Sequence, residues 1–232
     1  MRGLFVTGTD TGAGKTVVAA AICAALRAAG TRVVPFKPVV TGEDEPTELS
    51  WPPDHVLLGR AAGVDPEQVS PARFGPAVSP HLAQELAGAP LHPVELADAA
   101  REAGTRGEAL DVEGVGGLLV PLTEDTSVRD LAAELGLPLV VAARPGLGTI
   151  NHTLLTLEAA ENAGLRVAAV VLTPWPEEPS VVERSNRDTI ARLGEVDVAT
   201  LPALPGADVG LLARAGAALP LERWMGAVRL AA

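Results

Sequence analysis

The sequence has one cysteine, so it can form no disulfide within itself. Cys23 falls in the apolar pattern Ala20-Ala21-Ile22-Cys23-Ala24-Ala25-Leu26, which reads as core packing rather than a reactive thiol. No apolar run approaches the roughly 20 residues that span a bilayer. The chain also enters its first strand at Leu4 without the regions of a signal peptide, so the cytoplasm is the expected home. Positive charge is scarce and scattered: a net charge of -11 and a pI near 4.8 disfavour nucleic acid and anionic membranes and leave a small substrate. His55, His81, His92 and His152 are not spaced as a metal cluster and read as structural or surface groups. A Ser-His-Asp arrangement lacks a nucleophile elbow, and neither repeats nor linker-like segments occur. With 232 residues, 47% of them hydrophobic and 20% charged, the chain is expected to form one well-buried α/β domain over 1–232.

What is present is concentrated near the start. Gly8-Thr9-Asp10-Thr11-Gly12-Ala13-Gly14-Lys15-Thr16 lies between the apolar run Leu4-Phe5-Val6 and an alanine-rich helical pattern. A strand feeding a glycine turn feeding a helix aims backbone N–H groups and the helix's positive end at one spot, where an anion is stabilised. Gly12 and Gly14 permit positive φ and close approach, Lys15 reaches outer phosphates, and the Thr16 hydroxyl is placed for Mg²⁺. The strict G-x-x-x-x-G-K-[ST] spacing is not met, because Thr9 holds the first position and Gly8 comes one residue early. Gly-Lys-Thr after a strand still makes this a phosphate-binding loop.

Further along, helical periodicity over 15–29 stops at Gly30, and Arg32-Val33-Val34-Pro35-Phe36 reads as a buried strand with Lys37 at its carboxyl end. The Pro-, Gly- and acid-rich segment 39–53 predicts a mobile loop near the phosphate site. Asp54, after Pro52-Pro53, serves equally well as a helix N-cap or a metal ligand. Short helices are expected over 80–87 and 94–103, with a turn at Arg73-Phe74-Gly75-Pro76. A strand over 108–113 places Asp111 and Glu113 on one face, with Glu113 nearer the carboxyl end. Ser127 caps a helix through Leu135, strands follow at 137–143 and 167–172, a helix begins near Ile150, another covers 180–193, and a last strand covers 196–199. This rhythm predicts a doubly wound, mostly parallel sheet with ligands at the strands' carboxyl ends. Lys37 and Glu113 would there share the crevice of the phosphate loop, the lysine neutralising a transferring phosphoryl group and the carboxylate holding Mg²⁺ directly or through water.

Four ordered stretches together resemble the dethiobiotin synthetase family, in the phosphate-loop NTPase class: 7–16, Lys37-Pro38-Val39-Val40-Thr41-Gly42, Val112-Glu113-Gly114-Val115-Gly116-Gly117, and Leu147-Gly148-Thr149-Ile150-Asn151-His152. The resemblance implies an ATP-dependent ring closure in biotin biosynthesis. 7,8-Diaminononanoate and CO₂ give a carbamate, which is phosphorylated and then attacked by the second amine, yielding dethiobiotin, ADP and phosphate. By the same resemblance Thr11, Lys15 and Lys37 are catalytic, and Thr16, Asp54 and Glu113 hold Mg²⁺. Nucleotide contacts fall to Gly12, Ala13, Gly14, Lys15, Thr16, Val17, Glu113, Thr173, Pro202, Ala203 and Leu204. Substrate contacts fall to Thr11, Lys37, Thr41 and, from the partner in a homodimer with its site at the subunit interface, Gly148, Thr149, Ile150 and Asn151, whose N–H groups receive the distal carboxylate.

Three positions depart from the family pattern. Gly12 stands where other members often carry an acid that touches the ribose, which predicts weaker nucleotide affinity. Thr173 replaces an asparagine that reads the adenine edge, and one hydroxyl cannot make that bidentate pair, so CTP or another triphosphate is expected to compete with ATP. Val115 stands where small residues are usual, with little consequence expected. A partition or Mrp-like switch ATPase is disfavoured because its signature lysine would fall at Asp10, with the opposite charge. An amidotransferase-type ligase would need a glutaminase domain for which no residues remain.

Overall fold

The strand that leads into the phosphate loop lies inside the sheet that it helps to build. In the computed structural model, which describes residues 2–46 and 51–225, β1 (Gly3–Gly8) is followed by α1 (Lys15–Ala28) and β2 (Val33–Phe36). Then come β3 (Val39–Thr41), α2 (Asp54–Ala62), β4 (Ala72–Phe74), α3 (Pro80–Ala87), α4 (Pro93–Gly104) and β5 (Ala109–Glu113). The second half contains α5 (Val128–Leu135), β6 (Leu139–Ala143), α6 (Thr149–Glu161), β7 (Val167–Trp175), α7 (Val181–Leu193), β8 (Val198–Pro202), α8 (Val209–Ala217) and α9 (Leu221–Met225).

Six strands pair in the order β2-β5-β1-β6-β7-β8, every pair parallel. Chain order reverses around β1, whose neighbours are β5 and β6, so the loop after β1 opens at a topological switch point. Alternation along β1 divides the core. Leu4 and Val6 pack under α1, α2, α8 and α9, while Phe5 faces the layer of α4 and α5. A third cluster joins Val141, Ala143, Val170 and Leu172 to Ile190 of α7.

The expected helix starts hold at Ser127 and Ser180, each closing a capping box with the acid three residues on. Two expectations are corrected. The segment 39–53 is not loop throughout, since β3 pairs in parallel with β4 in a separate two-stranded sheet, so of the turn expected over 73–76 Arg73 and Phe74 are strand. Residues 47–50 of that segment lie outside the described residues. Asp54 is the first helical residue of α2, with Pro53 at the cap position, so its side chain is not spent on capping.

α8 and α9 carry no expectation from the sequence, yet α8 packs closely along α1. A Cβ at Gly216 would run into the backbone of Ala21. Gly216→Ala is therefore expected to destabilise the fold by about 1–3 kcal/mol, as overpacking in a well-filled core does. Denaturant unfolding checks this; an unchanged midpoint would mean that the two helices can part at no cost.

Candidate active site

The head of α1 is left open by its sequence. Gly14 is left-handed at φ 91°, no side chain caps the helix, and its first turn carries no acid, so its N–H groups and positive dipole end face the cavity in front. Gly12 is left-handed as well, at φ 69°, which lets the loop fold back on itself. Within it the Asp10 carboxylate accepts the Thr11 N–H at 2.7 Å, and the Asp10 carbonyl accepts Lys15 Nζ at 3.1 Å.

Three further elements deliver side chains to the same place. Lys37 follows β2 and is 3% exposed; its Nζ lies 2.6 Å from Glu113 Oε1 and 2.7 Å from Asp54 Oδ2. Glu113 ends β5, and the Thr16 hydroxyl donates to the same Oε1 at 2.8 Å. Lys15, Thr16, Lys37, Asp54 and Glu113 line one cavity of about 830 Å³, together with Thr11, Gly12, Gly14, Val17 and Thr41. The two lysines thus line a single space.

The electrostatics follow from this crowding. Burial alone would lower the Lys37 pKa, but the charges of Asp54 and Glu113 outweigh it and hold the ammonium charged beyond its ordinary range. Burial lowers the pKa of Lys15, opposed by Glu113 and reinforced by the positive charge of Lys37. Burial pushes the Glu113 carboxyl up, against the pull of Lys37. Asp54, with its side chain 43% exposed, is raised by burial but held below its ordinary value by Lys37.

Glu113 Oε2 is buried with no hydrogen-bond partner, an orphaned acceptor that a cation would satisfy. With the Asp54 carboxylate and the Thr16 hydroxyl it forms a hard oxygen donor set of the kind that suits Mg²⁺. Among the described residues no group of three or more His, Cys, Asp or Glu is gathered for a metal. A cation here would therefore complete its shell with water or phosphate oxygens.

Two residues back along β5 from Glu113, Asp111 sits behind the site and accepts the Cys23 thiol at 3.4 Å. Burial pushes its carboxyl to about 8, partly offset by that thiol and reinforced by the charge of Glu113. The native state thus keeps a proton that the unfolded chain releases near pH 4, so the contribution of Asp111 to stability falls as pH rises from about 4 to about 8. Asp111→Asn is expected to flatten this fall. Urea unfolding at pH 5 and pH 8 checks it; an equal slope in both proteins would contradict it.

Sequence reasoning missed the cavity's apolar wall, where Trp51, Pro52, Leu57, Val78, Pro80 and Val120 face the charged groups. The Trp51-Pro52-Pro53 run before Asp54 was its one visible signal. His55, which the sequence offers as a structural or surface group, is buried beside Asp54, with Nε2 3.2 Å from Arg73, which also binds Glu67 through two bonds and ties α2 to β4.

Several expected residues lie outside the cavity. Ala13 is buried in the loop, and Thr173 rests its methyl against Gly14. Pro202, Ala203 and Leu204 sit at and beyond the carboxyl end of β8, where Ala203 N–H donates to the Trp175 carbonyl at 3.2 Å. Gly148, Thr149, Ile150 and Asn151 stand at the head of α6, where Gly148 is left-handed at φ 91°, beside Leu147 at 98% exposed.

A family model described as an AAA domain matches residues 2–208. An ATP-dependent dethiobiotin synthetase of Anaeromyxobacter dehalogenans strain 2CP-1 is 49% identical over 197 residues, covering 83% of this chain and 86% of that protein. Another, from strain 2CP-C, is 45% identical over 221 residues, covering 93% and 95%. Among solved structures, a ParA family ATPase from Chlorobium tepidum superposes with a TM-score of 0.56 at 12% identity, over 93% of this chain and 97% of that one. That likeness is one of fold, of the phosphate-loop NTPase type.

Proposed function

The chain belongs to the family of ATP-dependent dethiobiotin synthetases, and we propose that the cavity at the head of α1 performs the family's ring closure with Lys15 and Lys37 as its charge-neutralising pair. The protein is an ATP-using ligase of biotin biosynthesis. The observation that carries the assignment of the site is the convergence of Lys15, Thr16, Lys37, Asp54 and Glu113, from four separate elements, on one cavity.

The reaction needs placement more than covalent help. One amine of 7,8-diaminononanoate attacks CO₂ and loses a proton, giving a carbamate. A carbamate oxygen then takes the γ-phosphoryl group from ATP, releasing ADP. The second amine attacks the carbamoyl carbon, expels phosphate and closes the ring. The loop N–H groups and Lys15 hold the phosphates, while Lys37 lies where it can bridge carbamate and γ-phosphate and offset the charge that accumulates as they approach. Thr11 and Thr41 hydrogen-bond the carbamate. Thr16, Asp54 and Glu113 would hold Mg²⁺, which supplies Lewis-acid neutralisation of phosphate oxygens.

The distal carboxylate is received by the N–H groups of Gly148, Thr149, Ile150 and Asn151 from a second copy of the chain. Exposed Leu147, just before α6, and Leu155, on it, give that face the apolar character of an interface. The functional unit is accordingly a homodimer of single-domain subunits, placed in the cytoplasm. Among the described residues no helix is long and apolar enough to cross a membrane.

Incubation with diaminononanoate, bicarbonate, Mg²⁺ and ATP tests the reading. One dethiobiotin per phosphate released supports it, whereas phosphate release without dethiobiotin refutes it. A second expectation concerns the base. Thr173 is 3% exposed with its methyl on Gly14, so it offers no amide edge to adenine. CTP is expected to reach a kcat/KM within about ten-fold of ATP, since one lost hydrogen-bonding pair is worth about that factor. Uniform rejection of non-adenine triphosphates would contradict this.

A further inference from the structure

We propose that Arg144 is a positioning residue of the nucleotide site, holding the phosphate loop so that its N–H groups face inward and adding positive charge at the loop's rim. The inference rests on the reading of that loop as the ATP site. Arg144 is the first residue beyond β6. β6 runs beside β1 with Ala142 paired to Gly8, and the Ala142 carbonyl accepts the Thr9 N–H at 3.0 Å. Parallel pairing thus brings residue 144 level with the loop, although 132 positions separate it from Gly12.

Its guanidinium spans two successive peptide groups. Nε donates to the Gly12 carbonyl at 3.2 Å and Nη2 to the Thr11 carbonyl at 3.2 Å. In a trans peptide the carbonyl and the following N–H point in opposite directions. Bonds that hold these two carbonyls outward therefore turn the N–H groups of Gly12 and Ala13 to the inner side of the loop. There the Ala13 N–H and Lys15 Nζ reach the Asp10 carbonyl, at 3.4 and 3.1 Å. A planar fork matches two adjacent carbonyls, and a lysine point charge cannot.

Two further observations point the same way. A Cβ at Gly12 would come within 2.9 Å of Arg144 Nη2, so the glycine at that position gives the guanidinium its room. Among the described residues Arg144 forms no ion pair with a carboxylate. Its two acceptors are neutral carbonyls, so among the described residues no carboxylate offsets the charge that this exposed guanidinium presents to an anion in the loop.

The test is calorimetric binding of ADP with Mg²⁺ and steady-state kinetics, on the full chain and on Arg144→Met and Arg144→Lys. Arg144→Met is expected to raise the Kd of ADP and the KM of ATP about ten-fold, the scale of one charge-assisted hydrogen bond. The KM of diaminononanoate rises less than that of ATP, because of the two residues held only Thr11 also meets the carbamate, and the weakening of ADP binding by salt becomes shallower. Arg144→Lys keeps the charge without the fork, so it restores the salt dependence and only part of the affinity. An unchanged ADP Kd in Arg144→Met, or an equal rise in both KM values, overturns the proposal. Should the wild-type protein itself bind no ADP, the reading of the loop fails instead.

Discussion

Lys37→Met is expected to lower kcat by about 10²- to 10³-fold, the usual cost of losing one preorganised electrostatic group from a reaction centre. The ammonium is buried and gripped by two carboxylates at 2.6 and 2.7 Å, so it is fixed in place before substrate arrives. Methionine fills similar space without charge. Removing one partner of a buried pair would by itself cost several kcal/mol. Here the cost has an outlet, since burial already pushes the Glu113 carboxyl up and loss of Lys37 lets it take a proton, while Asp54 stays partly solvated. The fold should survive with a melting temperature lowered by a few degrees, at about 2–4 °C per kcal/mol. Turnover is read beside circular dichroism, and a folded Lys37→Met protein with full activity would remove Lys37 from the mechanism.

Glu113→Gln is expected to cut kcat by about 10²-fold and to raise the Mg²⁺ concentration for half-maximal rate at least ten-fold, in the range of losing a charged donor at a cation site. One carboxylate oxygen, Oε1, accepts from both Lys37 and Thr16, leaving Oε2 without a partner. Glutamine keeps one acceptor but puts an NH₂ donor where the free oxygen was, and that group repels a cation. A Mg²⁺ titration of the rate decides; an unchanged half-saturation point would mean that Glu113 serves Lys37 alone.

The parts of this site that the sequence reveals are those whose geometry is local. Gly12, Gly14, Lys15 and Thr16 lie within one turn, so strand, loop and helix follow from adjacent residues. Glu113 is legible from period-two alternation, and Lys37 from its place after a short apolar strand. β3 and β4 are three residues each and stabilised by pairing with each other, Val39 to Ala72, which no local pattern shows. α8 contains Gly210 and Gly216, which read as helix breakers; Gly216 is there because α1 passes too close for a side chain. Arg144 looks like an ordinary loop arginine until β6 is known to lie beside β1. Residues brought together by sheet order become visible only with the structure.

Lys15 and Lys37 are the only lysines in the chain. Protein labelled with ¹⁵N at the lysine side chains therefore gives two ammonium signals, assignable by single substitution. Adding Mg²⁺, a non-hydrolysable ATP analogue, bicarbonate and diaminononanoate should move both signals, because both ammonium groups meet the same γ-phosphate and carbamate. A Lys15 signal that moves while that of Lys37 stays unchanged would contradict the shared site.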